Sequence, residues 1–194
     1  MKYQRNFSFL RIAFGCVWAI DAWFKWQPAF LNGLSDMLTS MLYGQPSWVQ
    51  SWIQFWIHIV NINPHLFAIL IATIETLIAI FLIFGFLTRI TLVGSIIFAF
   101  LLWSVGEGFG GPYLAGSTDI GCAVIYIFVA IGLLIGNSWQ VYSIDGLLQK
   151  KYPRLFLWKN DKPILVNEDK KDRIISILIF GMIVIGSILL SEHT

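Results

Sequence analysis

Apolar residues gather into five long runs, and short polar stretches separate them. A run of about 20 apolar residues, rising 1.5 Å each, spans the hydrocarbon of a bilayer as a helix. The first run predicts a helix over residues 7–26. Pro28 discourages its continuation. Residues 30–46 hold Gly33, Gly44 and small polar side chains, which predicts an outer loop with room for a short helix. The second helix is predicted over 66–86, with Glu75 near its middle. The tight turn Leu87-Thr88-Arg89 then leads into a third helix over 90–105, and so short a turn makes the two antiparallel neighbours. The fourth helix is predicted over 119–135 and the fifth over 174–190. The fifth is a plain apolar span without charge.

Residues 47–60 have a different period. Trp48, Trp52 and Trp56 recur every fourth residue, joined by Val49, Ile53, Ile57 and Val60, while Gln50, Gln54 and His58 form a second stripe. Two such stripes predict an amphipathic helix. Indole rings favour the headgroup level, so this helix is expected at the outer membrane interface or packed over the bundle mouth. Asn61-Ile62-Asn63-Pro64 ends it.

Composition agrees with a membrane chain: 57% of the 194 residues are hydrophobic and 12% charged. Charge adds orientation. Almost every Lys and Arg lies at the N-terminus, beside Arg89, or between Lys150 and Arg173; the opposite side keeps Lys25 with Asp21, Asp36, Glu107 and Asp119. Positive charge resists translocation, which predicts an N-terminus in the cytoplasm and a C-terminus outside. The basic segment is attracted to anionic lipid and requires no nucleic acid. Two cysteines, Cys16 and Cys122, are too few for a disulfide framework and are expected as small buried hydrophobes. The run after Lys2 and Arg5 has no small-residue cleavage site, so it is expected to remain as the first transmembrane helix.

Ionisable groups at membrane depth are costly, about 2.5–3.5 kcal/mol on insertion scales, and mark sites. Asp21 and Lys25 stand at i and i+4, near enough to pair. Glu107 and Asp119 fall at a similar depth, with Trp23, Trp26 and Trp103 around them. A cation among several acids, roofed by indoles, predicts a small polar pocket opening outward; an interfacial salt bridge under an aromatic belt is the alternative. Glu75 sits at mid-span. It is expected to transfer protons or to hydrogen-bond a quinone head group, or else to bridge to a residue of helix one, with Arg11 the candidate. Arg11 and Arg89 are expected as anchors at the cytoplasmic interface, their stems snorkelling. His58 and His65 lack a ligand partner at metal spacing, so neither metal nor haem is expected. The glycine-rich loop from Gly106 to Tyr113 suits either a flexible turn or closure over a small anion by backbone N–H groups.

Arg11-Ile12-Ala13-Phe14-Gly15, Trp18 and Lys25-Trp26, followed by Glu75 and Phe84-Gly85-Phe86-Leu87-Thr88-Arg89, resemble the DoxX-type four-helix membrane proteins. Gly111-Pro112-Tyr113, Thr118-Asp119-Ile120-Gly121 and Tyr126 are similar to the DoxD branch, the small membrane subunit of thiosulfate:quinone oxidoreductase. The resemblance covers residues 11–136. It implies a four-helix bundle, a role in moving electrons from a reduced sulfur compound to membrane quinone, and a mostly soluble companion subunit.

The expected architecture is therefore an all-α integral membrane protein. A four-helix domain over 1–137 includes the Trp-rich helix 47–60, a basic cytoplasmic segment covers 138–173, and a C-terminal anchor covers 174–194. Glu75 and Asp119 are the candidates for proton handling. Asp21, Lys25, Trp103, Glu107, Tyr113 and Thr118 are the candidates for binding a small anion, with quinone as co-substrate. The alternative is a non-enzymatic anchor or scaffold for a soluble redox or envelope partner. A carrier for a small lipid or solute is a third class, which the aliphatic inner helix halves disfavour.

Overall fold

A computed structural model describes residues 2–111 and 120–151 of the chain. The described residues are helical and contain no strand: α1 (Lys2–Lys25), α2 (Pro28–Ser40), α3 (Ser47–Val60), α4 (Pro64–Phe84), α5 (Thr88–Leu101), α6 (Ala123–Ile135) and α7 (Ile144–Lys151). A π turn (Leu102–Gly106) and a 3-10 turn (Gly108–Gly110) continue from α5. Among the described residues, three helices are long and apolar enough to cross a membrane: Gln4–Lys25, Pro64–Phe84 and Thr88–Gly106. Ala123–Ile135 is apolar but shorter. Asp119, where the fourth helix was expected to begin, lies outside the described residues, as does the fifth run.

The helix ends follow from sequence. Proline starts α2 and α4, where its missing N–H costs nothing. Asn63 caps α4 by accepting the Leu66 N–H at 3.1 Å. Gly85, at φ +66°, ends α4 in the left-handed region, and the Phe86 N–H returns to the Phe81 carbonyl at 3.0 Å. Asn137, at φ 50°, repeats this closure beyond α6, where the Ser138 N–H reaches the Leu133 carbonyl. The predicted outer loop contains α2, and α3 occupies the span expected for the Trp-rich helix.

Along α4 the faces separate sharply. Leu66, Leu70, Ile74, Leu77, Ile80 and Phe84 are exposed, whereas Ala68, Ala72, Glu75, Ala79 and Leu82 are buried. On α5, Ile90, Val93, Ile97 and Phe100 are exposed while Thr91, Leu92, Ser95 and Ala99 are buried. An apolar outer stripe over an inner stripe of small and polar residues is the pattern of helices solvated by lipid.

The chain divides into two compact units. One comprises Met1–Asp21, Thr76–Leu92 and the described part of Gly132–Thr194. In it Gly15 lets α1 approach α4 closely, since a Cβ there would stand 2.9 Å from the Ile83 nitrogen. The other comprises Ala22–Glu75 and Val93–Ile131. Its core gathers Leu34, Leu38, Val60, Ala68 and Val105, flanked by Phe30, Phe67, Trp52 and Trp56. Val49 and Ile53 of α3 are buried, and Gln54 and His58 are exposed.

Candidate functional site

In the second unit the backbone departs from regularity after Leu101. Within the π turn the Glu107 N–H bonds the Leu102 carbonyl at 3.0 Å, one residue wider than an α turn. Such widenings of an α-helix are rare and cluster at functional positions. The extra residue brings Trp103 and Glu107 to a common neighbour, Gly121. The Glu107 carboxylate accepts the Ala123 N–H with both oxygens, at 3.2 and 3.1 Å. It thereby sits at the N-terminus of α6, where the helix dipole favours an anion. The Trp103 indole N–H donates to the Ile120 carbonyl at 2.7 Å. Gly121 has φ +86°, and a Cβ on it would strike the Glu107 carboxylate and stand 3.0 Å from the Trp103 ring. Only glycine fits there.

Phe109 follows in the left-handed region at φ 60°, ψ 23°. A bulky residue there is strained by about 1–3 kcal/mol and needs its surroundings to hold it. Those surroundings are aromatic. Its ring centroid lies 5.1 Å from Trp103, 5.4 Å from Trp48 and 6.4 Å from Phe100. Gln45 completes the floor: it is buried, and its amide fills the space that a Cβ at Gly108 or Gly111 would take. Gln45 and the strained Phe109 escaped the sequence analysis. The glycine density from Gly106 to Gly111 was the available signal that a side chain packs against bare backbone there.

The remaining expected residues have the following places. Glu75 is fully buried on the alanine-lined face of α4. Asp21 and Lys25 are half-buried near the end of α1, and the Lys25 ammonium lies 5.2 Å from the centre of the Phe30 ring. Tyr113, Thr118 and Asp119 lie outside the described residues. No three His, Cys, Asp or Glu side chains among the described residues group as metal ligands.

In the first unit the structure revises two expectations. Arg11 does not snorkel. It is fully buried, and its guanidinium donates to the Ser138 carbonyl at 3.1 Å and the Tyr142 carbonyl at 2.6 Å. Arg89 is half-buried, stacked 3.9 Å over the centre of the Trp139 ring. Asp145 joins them. Its two oxygens accept the Leu87 and Thr88 N–H groups at 2.8 and 2.7 Å, and its own N–H donates to the Gly85 carbonyl at 2.9 Å. Its charge acts on both Arg11 and Arg89. An acid 57 residues away in sequence thus caps α5. Nothing in the sequence around Asp145 marks it for that task, so residues 138–145 were read as part of a plain basic segment. Cys122 also differs from expectation: it is exposed, whereas Cys16 is buried.

A model of the family described as DoxX matches residues 7–107, more than half of the chain. The chain belongs to the DoxX family. The DoxX match contains Arg11, Glu75, Thr88, Arg89, Trp103 and Glu107, and it ends before α6 and before the Asp145 cap. No curated protein and no solved structure matches the chain. Family and apolar helices together make this a membrane protein.

Proposed function

We propose that this DoxX chain is the membrane subunit of a quinone-linked oxidoreductase of the DoxD type, passing electrons from thiosulfate or a similar small sulfur anion to membrane quinone. The observation that carries the proposal is Glu75: a carboxyl group fully buried on the alanine face of a membrane-length helix, inside the matched family region. Such a group is retained at a cost and is suited to proton exchange. Four helices form the working bundle, a fifth over 174–190 anchors it, and α3 lies at the outer interface. The N-terminus is cytoplasmic and the C-terminus lies outside the inner membrane. A soluble oxidoreductase subunit docks outside.

In this scheme two thiosulfate ions join through a new S–S bond and release two electrons. Quinone takes up those electrons and two protons and leaves as quinol. Lys25, oriented by Asp21, draws the anion, and Tyr113 and Thr118 hold it through their hydroxyls. Glu107 and Trp103 shape the outer wall. Glu75 and Asp119 deliver the protons. The exposed aromatics Tyr43, Trp48 and Phe55 favour a second reading, in which these rings dock a soluble partner and the chain itself does no chemistry.

The test is thiosulfate-dependent quinone reduction by membranes holding the chain and its companion. The proposal expects turnover that membranes without the chain lack. A stoichiometric partner with no quinone turnover supports the docking reading instead. Full turnover by a Lys25→Ala, Glu75→Gln double variant removes the site assignment while leaving the activity in place.

A further inference from the structure

Trp52 and Trp56 stand one turn apart on α3, and their rings meet edge to face at 5.8 Å and 79°. Both indole nitrogens are covered, and neither N–H reaches an acceptor among the described residues. Buried indole N–H groups ordinarily find one, because a donor left unpaired away from water costs more than an average hydrogen bond returns. Two such donors on one turn form a pair. The rings themselves are only half-buried, so they are reachable from outside the core.

The surroundings narrow the chemistry. The two indoles pack against Leu34, Leu38, Val60, Ala68 and Val105. Val105 belongs to the π turn, and α3 packs directly on that turn. The donors therefore lie in apolar company beside the segment that presents Trp103 and Glu107. Phe55 is exposed and touches both rings, nearly parallel to Trp52 at 6.2 Å and edge-on to Trp56 at 5.7 Å. A fitting ligand is uncharged and lipid-soluble, carries carbonyl acceptors, and has a flat ring that can stack on the exposed Phe55 while its carbonyls meet the indole edges. A phospholipid ester supplies the carbonyl but no ring. A quinone head supplies both.

We infer that Trp52 and Trp56 bind the head ring of membrane quinone. Their N–H groups donate to its carbonyl oxygens from the indole edges, and Phe55 stacks on the ring. This inference rests on the quinone-linked function proposed above and assigns that function its quinone site. It needs no metal and no charged side chain.

The experiment uses the full chain in nanodiscs with isotope-labelled tryptophan indoles, of which there are nine. The Trp52→Phe and Trp56→Phe variants identify the two resonances and remove the donor while keeping an aromatic ring. Ubiquinone-1 is the probe, in discs of ester-linked and of ether-linked phospholipid. The inference expects both indole N–H resonances to move downfield on ubiquinone-1 addition in either disc. Each variant should weaken ubiquinone-1 binding about fivefold, the worth of one neutral hydrogen bond. It is overturned if the two resonances ignore ubiquinone-1, or if they respond only to the change from ether to ester lipid. Quinone turnover measured on the same samples separates the claims. Turnover with silent indoles sinks the site and spares the function; shifted indoles without turnover do the reverse.

Discussion

The two compact units hold their buried polar groups differently. In the first, charge is locked onto fixed backbone: the Arg11 guanidinium on the Ser138 and Tyr142 carbonyls, the Asp145 carboxylate on the Leu87 and Thr88 N–H groups. Left-handed backbone occurs in both, at Leu87, Asn137 and Tyr142 in the first and at Phe109 in the second. Among the described residues the second alone carries a π turn, and beside it stands a pair of indole donors without an acceptor. Such a helix widening is the kind of irregularity that gathers at functional positions. On this view residues 138–145 and the α4–α5 turn are scaffold, and the surroundings of the π turn are the place for ligands.

Breaking the scaffold tests that view most severely. Asp145→Ala removes the cap of α5 and leaves Arg11 without its nearby acid; it should cost about 3–5 kcal/mol. A thermal unfolding midpoint in detergent should fall steeply, while any surviving folded protein keeps its specific turnover. A smaller loss, about 1–3 kcal/mol, is expected for Gly15→Val, because the added bulk meets the Ile83 backbone. Moving to the other unit, Glu107→Ala deletes the acceptor at the start of α6 and should cost about 1 kcal/mol. Here turnover should fall more than stability does, the reverse of Asp145→Ala. The smallest stability change belongs to Phe109→Gly. Relief of left-handed strain, about 1–3 kcal/mol, offsets the loss of a half-buried ring, about 1.5–3 kcal/mol. Its unfolding midpoint should barely move while its turnover falls; a large drop in the midpoint would place Phe109 with the scaffold.

The helices were legible because lipid demands long apolar runs, and because Pro28, Pro64, Gly85 and Asn63 punctuate them by local rules. The Trp-rich helix was legible to the residue, since its two stripes share one period. Glu75 stood out as a carboxyl group in an apolar run, and it is indeed buried. The Arg11–Asp145 region was not legible. It depends on contacts between residues more than 120 positions apart, and an arginine near a helix end looks the same whether it snorkels or turns inward. Gln45 was hidden for a similar reason. A glutamine between Gly44 and Pro46 gives no hint of the bare glycine backbone it will pack against. Trp103 and Glu107 were chosen by depth, and the π turn that unites them at Gly121 could not be read from composition.

The central claim is that Glu75 serves chemistry and not stability, and a single rate tests it. In membranes matched for folded chain, thiosulfate-driven quinone reduction by Glu75→Gln should fall about 100-fold or more, the usual worth of a positioned proton carrier. A Glu75→Gln rate equal to that of the unaltered chain would contradict the account.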